Sequence, residues 1–122
     1  MLLDSNILIY YSKNGDQISS IEPYITEESS ISAIGKLEVL GYHALATQEK
    51  SILEITLGMM NIIPVSFSVI DKAIALRQQK SMSVGDALIA ATALEYGMTL
   101  ITRNTSDFKW IDGLSLVNPF DA

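Results

Sequence analysis

Cysteine is absent from this chain. That removes disulfides, a thiolate nucleophile and thiolate-bound zinc, and it fits a reducing compartment. Histidine is nearly absent: His43 stands alone. One imidazole cannot be both acid and base of a metal-free ribonuclease, nor can it build a zinc site that needs several histidines. Only three prolines and seven glycines punctuate 122 residues, with no linker-like tract and no repeat. A single domain over residues 1–122 is expected, and 48% apolar residues suffice for its core. No apolar run reaches the roughly 18 residues of a membrane span. Asp4 and Asn6 interrupt the apolar start and no basic segment precedes them, so the start does not read as a signal peptide and a cytoplasmic protein is expected.

Basic residues are also scarce. Eight Lys and Arg face fourteen Asp and Glu, for a net charge of −6. Such a balance argues against a nucleic-acid binder, because phosphates are met by Lys and Arg. The objection weakens if several of the acids are metal ligands, since each divalent cation cancels two charges and the local field then decides whether a phosphate can approach.

What is present is an alternation of short apolar strands with helices. Strands are expected at Met1–Asp4, Ser29–Ser32, Asn61–Val65, Thr99–Thr102 and Leu114–Val117. Helices are expected from Ser5–Asn6 through Tyr11, over Ile18–Tyr24, Ala33–Ala46, Gln48–Met59, Ser68–Gln79 and Val84–Tyr96, the last closed by Gly97. The pattern predicts an α/β fold, a parallel sheet covered on both faces. Ligands of such sheets bind beyond the carboxyl ends of the strands, where Asp4 ends one strand and Thr102, Arg103 and Asn104 end another.

Four acids interrupt or border these apolar elements, and each has an ordinary explanation. Asp4 suits a cap or turn. Glu38 shares its helical spacing with Ile34, Gly41 and Leu45, so it is expected to be buried, and its ordinary partner would be a cation on another element. Asp86 lies three residues after Ser83, the spacing of a capping box. Asp107 stands in the polar stretch Thr102–Phe108, read as a loop, where turn residues are common. Gathered together, four like charges require a cation. Hard oxygen donors, with no cysteine and one histidine, select magnesium, with manganese possible, over zinc.

Leu2-Leu3-Asp4-Ser5-Asn6-Ile7-Leu8 resembles the opening of PIN domains. Ser32 followed by Glu38-Val39-Leu40-Gly41 is similar to their second acidic motif, and Asp86-Ala87-Leu88-Ile89-Ala90-Ala91 to the third. Thr102-Arg103-Asn104 with Asp107-Phe108, Gly113-Leu114 and Asn118-Pro119 resembles their C-terminal signature. Within that family the likeness is to VapC-type toxin nucleases. The resemblance implies a three-layer α/β/α sandwich around a parallel sheet and magnesium-dependent cleavage of RNA. It implies Asp4, Glu38, Asp86 and Asp107 as the catalytic, metal-holding acids, supported by Ser5, Asn6, Ser32, Thr102 and Asn104. It also implies an antitoxin protein as partner and a homodimer. The apolar residues of Ala33–Met59, among them Leu37, Ile55 and Met59, exceed what one sheet face covers and offer a surface for pairing.

Arg103, Lys109 and Lys36 are the basic residues best placed by motif to meet RNA, whereas Lys13 and Lys80 read as solvent-exposed. Two further readings stay open: a PIN nuclease of RNA processing that needs no antitoxin, and a non-catalytic interaction module. A phosphorylated receiver domain does not fit. Asp4 stands without a paired acid, and Ser66 and Asn118 follow the strands after which that fold needs Asp and Lys.

Overall fold

The computed structural model, which describes residues 1–121, begins with β1 (Leu2–Leu3), whose two leucines face opposite sides of one sheet. The order continues α1 (Ser5–Ser12), α2 (Ile18–Ile21) with a 3-10 turn at Glu22–Tyr24, β2 (Ser30–Ser32), α3 (Ala33–Leu40), α4 (Thr47–Met59) and β3 (Asn61–Ile63). It closes with α5 (Phe67–Gln79), α6 (Val84–Tyr96), β4 (Leu100–Ile101), α7 (Thr105–Phe108) and β5 (Leu116–Val117). The five strands are all parallel, in the order β3-β2-β1-β4-β5.

Leu2 and Leu100 pack beneath α5 and α6 with Val69, Ala73, Leu76, Ala87 and Ala90. Leu3, Ile31 and Ile101 pack on the other side with Ile7, Leu8, Ile21, Val39, Leu53 and Leu57. The result is the expected three-layer α/β/α sandwich. Its middle layer is only two or three residues deep per strand, so the first polar residue after each strand already lies at the sheet's edge. Residues Ala87, Ile89, Ala90, Ala91, Thr92 and Ala93 of α6 are all buried. The small alanines let this helix approach the sheet closely, and Thr92 hides its hydroxyl by donating to the Leu88 carbonyl at 2.7 Å. Gly97 ends the helix in the left-handed conformation, φ 62°, where glycine has no Cβ penalty.

Several boundaries differ from expectation. The helix expected over Ala33–Ala46 stops at Leu40, with Gly41 as its cap, and α4 restarts at Thr47, where the Ala46 N–H donates to Glu49 Oε1 at 3.1 Å. Glycine's backbone freedom weakens the helix at that point, and exposed Tyr42, His43 and Ala44 bury nothing that would carry it through. The third strand ends before Pro64, which has no N–H to continue a ladder. Thr105–Phe108, expected as loop, is a short helix that drives Phe108 into the core. Among the described residues no helix is long and apolar enough to cross a membrane.

Candidate metal centre

The strand order reverses direction at β1: β2 and β3 lie to one side, β4 and β5 to the other. In open parallel sheets the crevice at such a reversal is the ligand site. The register aligns Ser32, the last residue of β2, with Asp4, Thr102 and Asn118, which lie one residue beyond their strands, in one row.

Asp4 occupies the N-cap position of α1, but its carboxylate caps nothing. It accepts instead from the buried Thr102 hydroxyl at 2.8 Å, while its backbone N–H continues the ladder to the Ile101 carbonyl at 2.9 Å. The side chain is only 3% exposed, which an ordinary cap would not be. Ser5, also buried, places its hydroxyl between two acids. Ser5 Oγ donates to Glu38 Oε1 at 3.2 Å and lies 3.5 Å from Asp4 Oδ1. A hydroxyl has one proton, so these two carboxylates share a single donor.

Glu38 is not buried as its spacing suggested. The side chain is exposed along its length because α3 ends before Gly41 and Leu45 can cover it. Its head, however, is tucked in: a Cβ built on Gly85 would stand 2.5 Å from Glu38 Oε2. The glycine before Asp86 is thus what seats Glu38. Asp86, half-buried, opens the first turn of α6, where the Ser83 hydroxyl accepts from its N–H at 3.1 Å. The cap expected at Ser83 is present. Asp107 lies exposed on α7, whose turn is held by its N–H to the Asn104 carbonyl at 3.0 Å. The Trp110 indole Nε1–H donates to the Asp107 carbonyl, also at 3.0 Å.

The electrostatics join these acids into one group. Desolvation raises the pKa of Asp4 most, against hydrogen bonding from Thr102, and the charge of Asp86 raises it further. Desolvation likewise leads for Glu38, with repulsion from Asp4 and Asp86 added to it. Asp86 is raised by desolvation and then by Asp107. None of the four forms an ion pair among the described residues, whose salt bridges are Lys13–Glu49, Lys50–Glu54 and Lys72–Glu95. Nor do any three acids stand at metal-holding distance among the described residues. The donors are carboxylate and hydroxyl oxygens throughout, which fits magnesium or manganese.

The supporting residues divide. Thr102 and Ser5 touch the acids directly. Ser32 turns its hydroxyl to the Ile34 N–H at 3.2 Å and caps α3. Thr102 also accepts from the Asn104 N–H at 3.1 Å, so Asn104 meets the site through its backbone. Asn6, half-buried on α1, makes no side-chain hydrogen bond among the described residues. Of the basic residues, Lys36 and Lys109 are exposed. Arg103 lies with its guanidinium carbon 5.1 Å from the Tyr10 ring and 4.9 Å from that of Phe120, so it is stacked and held. Lys13 is engaged with Glu49 at 3.3 Å. Lys80, set aside on sequence grounds, lines a hollow with Asp86 and Asp107.

The comparisons with known proteins agree with this geometry. The PIN domain family model matches residues 1–114. A toxin–antitoxin complex from Klebsiella pneumoniae contains a chain with 32% identity and a TM-score of 0.78, over 99% of this chain and 98% of that one. The VapBC2 structure from Rickettsia felis, bound to a promoter DNA fragment, gives 27% identity and a TM-score of 0.81 over 96% of both chains. Ribonuclease VapC1 of Rickettsia felis is 44% identical over 41 residues, a match spanning 34% of this chain and 31% of that protein. With a family model spanning nearly its whole length and a fold shared from end to end, the chain belongs to the PIN-domain family.

Proposed function

We propose that this protein is a magnesium-dependent endoribonuclease that hydrolyses RNA phosphodiesters, and that it is the toxin of a toxin–antitoxin pair. The observation that carries the reading is a set of carboxylates from the end of β1 and from α3, α6 and α7 without ion-pair partners among the described residues, three of them raised in pKa by burial first and by neighbouring acids after it. A protein holds such a group against its cost when a cation completes it. The name of the Rickettsia felis ribonuclease and the toxin–antitoxin complex from Klebsiella pneumoniae support the chemistry and the setting.

Asp4, Glu38, Asp86 and Asp107 would hold the metal. Bound there, magnesium or manganese supplies charge stabilisation for the phosphoryl group and lowers the pKa of water. The chain's own part is positioning: Thr102 fixes one Asp4 oxygen, Ser5 spaces Asp4 from Glu38, and Ser83 pins the first turn of α6 that presents Asp86. Cleavage of a single-stranded RNA should require magnesium, stop with chelator and return when magnesium is restored. Undiminished cleavage in excess chelator would remove the reading.

Gly85→Ala tests the seat of Glu38. The added methyl would meet only the far end of a flexible side chain, so the fold should accommodate it. Alanine also favours a helix by about 0.5–1 kcal/mol over glycine. We expect a melting temperature equal to or above the parent's and cleavage reduced at least about tenfold, since misplacing a reacting group by about 1 Å can cost about 100-fold. Parental cleavage rates in this variant would show that Glu38 needs no seat.

Pairing of two copies follows from the apolar surface. Leu57 and Met60 are buried, but Leu37, Ile55 and Met59 remain 65%, 70% and 48% exposed. Phe67, Ile74 and Val84 add a second exposed set beside an apolar hollow between α5 and α6 that contains none of the four acids. A homodimer is expected at tens of micromolar, and light scattering that finds monomer alone would overturn it.

A further inference from the structure

Beside the acids, the link from α5 to α6, the first turn of α6, α7 and Trp110 line a partly open hollow of about 240 Å³. Asp86 and Asp107 line it together with Lys80, Ser106 and Trp110. Lys80 Nζ lies 5.6 Å from the centre of the Trp110 ring. The indole is fixed by its N–H bond to the Asp107 carbonyl and by packing against the core beneath α6. The segment bearing Lys80 is fixed by Arg77, whose Nε donates to the Met82 carbonyl at 3.1 Å. Although two carboxylates share the hollow, Lys80 pairs with no carboxylate among the described residues. An ammonium left free on an aromatic face, next to acids suited to a metal, matches neither a structural ion pair nor a metal ligand.

We propose that this hollow is a binding subsite for one unpaired nucleotide of the RNA substrate, next to the phosphate that is cleaved. The inference rests on the ribonuclease reading above. On binding, the Lys80 ammonium lifts from the Trp110 ring to the nucleotide's phosphate and the base takes its place on the indole, the pairing of aromatic platform and cation by which single strands are held without sequence-specific contacts. The hollow is smaller than the roughly 300 Å³ at which pockets for drug-sized ligands begin, so one base suits it and a duplex does not. It also answers the net charge of −6: a single well-placed ammonium at the cleft, with metal beside it, replaces a broad basic face.

Trp110 is the only tryptophan in the chain, so its emission reports this hollow alone. A 2′-O-methyl hexanucleotide without self-complementarity, labelled at one end, is titrated into the parent protein in magnesium, with Trp110 emission and label polarisation followed together. Saturable quenching that tracks polarisation is expected. Lys80→Gln should raise the midpoint about fivefold to tenfold and lower the salt slope by about one, as loss of one phosphate contact does. In cleavage assays the loss from Lys80→Gln and from Trp110→Phe should fall mainly on KM. Lys80 is exposed and unpaired among the described residues, so its variant stays informative even if the tryptophan variant folds poorly. Polarisation that saturates with Trp110 emission unmoved and Lys80→Gln affinity parental overturns the subsite while leaving the ribonuclease intact. Quenching by an arginine-bearing peptide and not by the oligonucleotide overturns it in favour of a protein partner. If the parent cleaves no RNA, the ribonuclease reading falls and with it the placement beside a cleaved phosphate, whereas quenching by the oligonucleotide would still show that the hollow binds a nucleotide.

Discussion

Asp4→Asn should abolish RNA cleavage, by about 1,000-fold or more, and leave the metal-free protein at least as stable as its parent. Loss of several kcal/mol of charge stabilisation at the reacting phosphate sets the scale, at about 1.4 kcal/mol per tenfold in rate. The fold should persist because the amide oxygen can still accept from Thr102, which now bonds one Asp4 oxygen at 2.8 Å. Asp86→Asn should behave alike, since its backbone cap to Ser83 does not involve the carboxylate.

The stability half of this prediction follows from linkage. Asp4, Glu38 and Asp86 have raised pKa values in the fold, through desolvation first and mutual repulsion after it. A carboxyl whose pKa rises on folding binds its proton more tightly in the folded state. The folded state is therefore penalised at neutral pH, and the penalty is relieved as pH falls through the raised values toward the ordinary carboxylate range. Metal-free protein should melt higher on mild acidification from neutral pH. Asp4→Asn should blunt that rise, and saturating magnesium should remove it by stabilising the charged forms. Melts with chelator and with magnesium across this range provide the check. A metal-free parent that loses stability on mild acidification, or a fully active Asp4→Asn enzyme, would show the acids to be structural.

Sequence alone carried the strands and the layering, because each rests on a local signal. Leu2-Leu3 before a lone Asp4 marks a buried strand with a polar exit, and the alanines between Asp86 and Gly97 mark a helix hidden on most sides. What was not legible depends on contacts between distant residues. Glu38 had apolar residues at helical spacing, but those at Gly41 and Leu45 lie beyond the end of α3, so the expected burial did not form. Its actual seat is Gly85, 47 positions away and without a side chain to draw notice. Ser32 carries a family motif, yet its hydroxyl is spent on a helix cap. Lys80 and Trp110 lie 30 positions apart in different elements, and only the packing of α7 against the sheet brings them over one hollow. Asp107 was read in a loop, and the turn of helix that holds it is too short to show a period.

Expression of this chain without a partner should arrest cell growth, and expression of its Asp4→Asn variant should not. On the proposed reading, an unrestrained nuclease would attack cellular RNA, so its host would hold an inhibitor. The cleft specifies that inhibitor's chemistry. Four carboxylates with no ion pair among the described residues attract a guanidinium, whose planar fork matches a carboxylate and whose charge does not titrate away. Such an arginine would relieve the repulsion among Asp4, Glu38 and Asp86 and exclude magnesium in one step. A basic segment that folds on binding could extend from there over exposed apolar side chains such as Leu37 and Ile55. The net charge of −6 steers it in, so association should slow as salt rises. Co-expression of the partner should restore growth, and replacing its cleft arginine by alanine should undo the rescue. Normal growth with abundant, active, soluble enzyme would instead identify a nuclease of ordinary RNA processing, whose substrates rather than an inhibitor limit what it cuts. Normal growth with protein that cleaves nothing in magnesium would identify a PIN-like interaction module.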